Sequence, residues 1–120
     1  MAADQEKEQT AVKVAETWVA LVDEGKYAES WSEAAEIFKS SLPQEQWEPS
    51  IKAAREPLGK IVTRIVKSTQ YMTAMPGVPD GEYVIIQFET SFENKKEAVE
   101  TITPMMGKDG VWRVAGYFIK

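Results

Sequence analysis

The chain has 120 residues, enough for one domain to bury roughly two thirds of its unfolded surface without disulfides or metals. It contains neither cysteine nor histidine, which excludes thiol and imidazole catalysis, Ser-His-Asp triads, zinc fingers, iron–sulfur ligation and disulfide stapling. A formal charge of −5, from 19 acids against 14 bases, argues against nucleic acid as the partner, and no run approaches the roughly 18 apolar residues of a membrane span.

Residues 1–9 are polar and are expected to be flexible; they hold no apolar core of a signal peptide, so the chain as given carries no export signal. From Thr10 onward, Ala11, Val14, Ala15, Trp18, Leu21 and Val22 recur at helical spacing and predict an amphipathic helix that ends at Gly25. Tyr27, Trp31, Ala34, Ala35 and Phe38 continue a broken pattern, read as helix, break, helix over residues 26–39. Ser41-Leu42-Pro43-Gln44 marks a further start, with Trp47, Ile51 and Ala54 as its buried face and Pro57 and Gly59 as its stop.

Four strands follow, at residues 60–71, 82–92, 95–106 and 111–119, rich in the branched and aromatic residues that fit a pleated surface. The residue counts divide at the same place: residues 1–57 carry twelve acids against six bases, residues 58–120 seven against eight. Helix formers first and strand formers second predict an α+β fold, with N-terminal helices packed on one face of a four-stranded antiparallel sheet. The whole, 1–120, reads as a single domain, with residues 10–57 its helical part and 58–120 its sheet.

Taking Glu93-Asn94 and Asp109-Gly110 as two-residue hairpin loops sets the register. One face then shows Val84, Ile86, Phe88, Phe92, Val99, Thr101, Thr103, Met105, Trp112, Val114, Gly116 and Phe118, a core to be covered by helices. The other carries Tyr83, Ile85, Gln87, Glu89, Glu100, Ile102, Pro104, Arg113, Ala115, Tyr117 and Ile119. It is mixed in character, and Tyr83, Ile85, Tyr117 and Ile119 on it motivate a homodimer formed through the sheet face.

Several pieces in order resemble a known family: Trp18-Val19-Ala20-Leu21-Val22-Asp23 with Gly25-Lys26-Tyr27, Ser30-Trp31, Arg55 with Pro57-Leu58-Gly59, Gly81-Glu82-Tyr83, Glu100-Thr101, and Asp109-Gly110 with Trp112-Arg113-Val114 and Gly116-Tyr117. The chain is identified as similar to the DUF4019 family, small bacterial proteins grouped with NTF2-like and cystatin-like folds. The resemblance implies a curved antiparallel sheet wrapped around helices. Members often begin with an export signal, so it also implies a mature periplasmic or secreted protein. NTF2-like enzymes place Asp, His or Tyr inside the cone, and a chain without histidine departs from that pattern.

Glu89, Glu100 and Arg113 read first as a cross-strand ion-pair ladder on the mixed face. The functional alternative makes Arg64 or Arg113 the anchor for an anionic small ligand, with Tyr83 and Tyr117 as donors and Trp31 as a stacking surface at a helix break, and Glu100 with Glu89 as a carboxylate pair for acid–base work. No spacing calls for a metal or a cofactor. The expected function is a non-enzymatic interaction or binding module that is exported, the alternative a small NTF2-like enzyme or anion-binding protein using Arg, Glu and Tyr groups.

Overall fold

The computed structural model describes residues 2–120. Four helices, α1 (Ala2–Asp23), α2 (Tyr27–Ser32), α3 (Glu36–Ser41) and α4 (Gln44–Arg55), precede a 3-10 turn (Glu56–Leu58) and four strands, β1 (Ile61–Met72), β2 (Tyr83–Phe92), β3 (Lys95–Met106) and β4 (Trp112–Ile119). The strands form one antiparallel sheet in the order β1-β2-β3-β4, and the helices cover one of its faces. This α+β arrangement is consistent with NTF2-like topology.

Helix α1 buries Ala11, Ala15, Trp18, Val19 and Val22. It starts well before its apolar stripe, and Lys7 ties the early turns to the sheet through Glu82 at 2.6 Å. Its end is a Schellman motif: Gly25 takes φ 77°, its N–H donates to the Val22 carbonyl, and the Lys26 N–H donates to that of Leu21. On α4 the buried positions are Trp47, Ile51 and Arg55, four residues apart, whereas Ala54 is exposed. The expected apolar stripe therefore closes on an arginine.

The core joins Trp18, Phe38 and Trp47 to Tyr117, with ring centroids 5.0 to 6.5 Å apart. Ser30, fully buried, holds two of the tryptophans: its carbonyl accepts from Trp18 Nε1 at 2.7 Å and its hydroxyl from Trp47 Nε1 at 2.9 Å. These bonds satisfy indole N–H groups that would otherwise be stranded.

Bulges decide the faces of the sheet. Phe92 pairs with Lys95 as the tight hairpin requires, but the next pair is Thr90 with Ala98, so β3 carries one residue more than β2 over this stretch. Even-numbered residues of both strands then share a face: Ile86 lies opposite Ile102 and Phe88 opposite Glu100. The β3–β4 connection is also longer than two residues. Gly107 N–H donates to the Val111 carbonyl across Lys108-Asp109-Gly110, with only Gly110 at positive φ, so Met106 meets Trp112. A second bulge at Ala115 then brings Tyr117 opposite Ile102 and Phe118 opposite Thr101.

The expected faces are corrected accordingly. Glu100, Ile102, Pro104, Tyr117 and Ile119 turn toward the helices, while Val99, Thr101, Thr103, Met105 and Phe118 turn outward, Phe118 being 62% exposed. Each extra residue flips everything beyond it, because side chains alternate with a period of two. The patch expected to support a dimer is thereby taken apart. Tyr117 and Ile119 face inward, and Tyr83, though outward, is only 1% exposed, its hydroxyl donating to the Pro79 carbonyl in the loop of residues 73–82.

Candidate functional site

Four charged side chains meet under the helices, where α1 and α4 end and β1 and β3 pass. Asp23 lies in the last turn of α1, where the helix dipole opposes an anion. Arg55 comes from the last turn of α4, Arg64 from β1 and Glu100 from β3. Glu100 is fully buried, and the Arg55 side chain is 5% exposed. Two cations and two anions leave the cluster formally neutral.

Its geometry is specific. Arg64 lays its guanidinium against Asp23 in a bidentate pair, Nη1 to Oδ2 at 2.7 Å and Nη2 to Oδ1 at 3.0 Å, and turns its Nε to Glu100 Oε1 at 2.7 Å. The planar fork of arginine allows both carboxylates to be held at once. Arg55 donates Nη2 to Asp23 Oδ1 at 2.5 Å and stacks its guanidinium 4.7 Å from the Phe92 ring centroid, while its Nη1 lies 3.9 Å from Glu100 Oε2. Arg55 Nε and Nη1 are buried without a hydrogen-bond partner, and the aromatic face partly replaces the missing acceptors. Glu100 accepts from Thr90 Oγ1 at 2.7 Å and from the Tyr117 hydroxyl through its other oxygen.

The charges tune one another. Burial by itself would raise the Asp23 carboxyl, but hydrogen bonds from Arg64 and Arg55 outweigh it and hold the group below the usual carboxylate range. Burial works against the Arg64 cation, and the two carboxylates more than compensate, so it stays charged. Burial, with the Glu100 charge and hydrogen bond added, pushes the Tyr117 hydroxyl well above its ordinary value, which keeps it a donor.

Of the six residues expected to form a ligand site, the structure brings together Arg64, Glu100 and Tyr117. The other three lie apart. Trp31 donates its indole N–H to the Leu42 carbonyl at 2.7 Å and has Lys39 over its ring; Tyr83 is covered by its loop; Arg113 forms a bidentate pair with Asp109 at 3.1 and 2.8 Å on the β3–β4 hairpin. Glu100 therefore does not join Arg113 in a surface ladder, since the β3 bulge carries it to the opposite face. Asp23, Arg55 and Thr90 were not expected here. The signal for Arg55 was its place four residues after Ile51 on the buried stripe of α4.

Chemically, the carboxylates of the cluster are fully compensated, while Arg55 keeps Nε and Nη1 without an acceptor. Every carboxylate oxygen has a cationic or hydroxyl neighbour, and the rings of Trp18, Trp47 and Tyr117 fill the adjacent interior, so neither an exposed base nor an uncompensated arginine faces a cleft. Among the described residues, no group of three or more acidic side chains is placed to hold a metal ion.

Residues 14–117 match the family described as a protein of unknown function, DUF4019. No curated protein and no solved structure matches the chain.

Proposed function

Because the chain belongs to the DUF4019 family, whose members carry no assigned reaction, its function rests on its own geometry, and we propose that it is an exported, non-catalytic interaction module that works by protein–protein contact through its sheet, self-association included. One observation carries this reading. The interior beneath the helices holds a charge-neutral, ion-paired set of Asp23, Arg55, Arg64 and Glu100 packed beside aromatic rings. The cluster serves to hold α1 and α4 on the sheet, and recognition is left to the outer surface. There Ile65 and Phe118, 61% and 62% exposed, are the apolar groups the fold leaves uncovered on the outward face of β1 and β4. Export is supported by the resemblance alone.

The test pairs two measurements on the chain isolated from its native host. Native mass spectrometry is expected to show the bare polypeptide mass. A photo-crosslinking residue at Ile65 or Phe118 is expected to yield protein adducts that the same residue at Ser50, on the exposed side of α4, does not. A small molecule retained at one-to-one stoichiometry and lost in Arg64→Met would overturn the reading in favour of an anion-binding protein.

A further inference from the structure

Strand β3 carries apolar groups on both of its sides. Ala98, Ile102 and Pro104 face the helices beside Glu100, while Val99 and Met105 face outward. Register is weakly specified where the two sides of a strand are alike. The observed ladder moreover needs three irregularities: the extra residue of β3 between its pairs with Thr90 and Phe92, the three-residue turn Lys108-Asp109-Gly110, and the bulge at Ala115.

Removing all three together yields a regular ladder. From Ala98 onward β3 then moves one residue along β2, setting Val99 opposite Phe88 and Thr101 opposite Ile86, and Asp109-Gly110 suits the two-residue loop that this requires. Trp112 and Val114 keep their inward side, because the changes in β3 and in the turn cancel there. The exchange is confined to the rest: Thr101, Met105 and Phe118 turn in, and Glu100, Ile102 and Tyr117 turn out.

Charge distinguishes the two ladders. In the observed one, Arg55 and Arg64 meet Asp23 and Glu100 beneath the helices. In the regular one Glu100 reaches solvent, and the same two guanidiniums meet Asp23 alone, which leaves a buried cation uncompensated. We infer that the buried ion cluster is a register lock: it holds β3 in the bulged ladder, and reversing its charge balance moves the strand to the regular one without unfolding the chain. The lock also governs the outer surface, since Phe118, 62% exposed on the outward face, gives way to Tyr117 and Ile119 when the register changes.

The chain has no cysteine, so a single introduced thiol reports one position cleanly. In the wild-type background, Thr101→Cys, on the outward side, is expected to react with a water-soluble maleimide at least ~10-fold faster than Ile102→Cys, which replaces a fully buried residue. Glu100→Lys sets three cations against Asp23 in the bulged ladder but places its own charge in solvent in the regular one. Arg55→Met/Arg64→Met strands two carboxylates in the bulged ladder and only Asp23 in the regular one. In both backgrounds the order of the two thiols is expected to invert, with far-UV circular dichroism separating inversion from unfolding. Glu100→Gln is expected to keep the wild-type order, because its amide still accepts from Arg64 and Thr90 and the two ladders carry the same charge imbalance. Inversion in either charge variant sustains the inference. If neither inverts, whether it keeps the wild-type order or unfolds, the register lock is overturned, as it is if Glu100→Gln inverts with no difference in charge to drive it.

Discussion

Replacing Glu100 probes the buried cluster most directly. Its carboxylate is fully buried and accepts from Arg64, Thr90 and Tyr117. In Glu100→Gln the amide oxygen can still accept from Arg64 and Thr90, and the amide nitrogen can donate to the Tyr117 hydroxyl, so the hydrogen-bond count barely changes. The charge does: two buried guanidiniums then face Asp23 alone. Removing one partner of a buried ion pair costs about 3 to 5 kcal/mol, chiefly because a charge is left uncompensated. The near-isosteric amide places Glu100→Gln toward the low end, at about 3 kcal/mol. Glu100→Ala adds the lost hydrogen bonds and a cavity, for about 5, which approaches the whole stability of a small domain at roughly 5 to 15. With a urea m-value of about 1.5 kcal/mol/M, the amide variant should unfold at a midpoint lower by roughly 2 M. Arg64→Met/Glu100→Gln, which removes one charge of each sign, should be less destabilised than the sum of the two single variants, giving a coupling energy of at least about 1 kcal/mol. A loss below about 1 kcal/mol in Glu100→Gln, or strict additivity in the double variant, would refute the reasoning that the cluster is buried and mutually compensated.

Acid should weaken the fold through Asp23. Its folded carboxyl lies below the ordinary value, so its contribution is complete above about pH 3.9 and is lost as pH falls below that value toward the depressed one. Urea midpoints measured from pH 6 to pH 2.5 should therefore drop most steeply below about pH 4, and Asp23→Asn should flatten the drop; an unchanged slope in that variant would remove Asp23 as the cause. Gly59→Ala should cost about 1 to 3 kcal/mol, because φ 76° with ψ −162° is a conformation nearly restricted to glycine and a Cβ there would lie 3.0 Å from Glu93 Cβ. A melting temperature within about 1 °C of wild type would show that the turn into β1 relaxes freely.

Local chemistry made much of the architecture legible. The stripe of Ala11, Ala15, Trp18 and Val22 with Gly25 behind it, the proline and glycine after α4, and the branched residues of the second half each act over a few residues, and the helices and strands formed where those signals stood, except that α1 begins at Ala2, in a stretch expected to be flexible. Trp112 and Val114 face the core as expected because the extra residue in β3 and the longer β3–β4 turn each shift parity by one and cancel. The candidate site was legible only in fragments. Arg64 and Tyr117 stood out as polar groups in strands, but nothing near them in sequence announced Asp23, 41 positions before Arg64, or Arg55 as a buried residue.

What the sequence determined by itself was the kind and order of the elements, since helix periodicity, capping and turn propensity are short-range. What tertiary structure alone decided was which side of the sheet each residue occupies beyond a bulge. The extra residue in β3, the three-residue turn at Lys108-Asp109-Gly110 and the bulge at Ala115 each shift parity by one, and no local preference separates these registers from their neighbours. The choice among them is a long-range one. Only the bulged register carries Glu100 to Arg64 and the Tyr117 hydroxyl and lets the Tyr117 ring pack on Trp18, whereas a regular ladder would leave two buried arginines facing a single carboxylate.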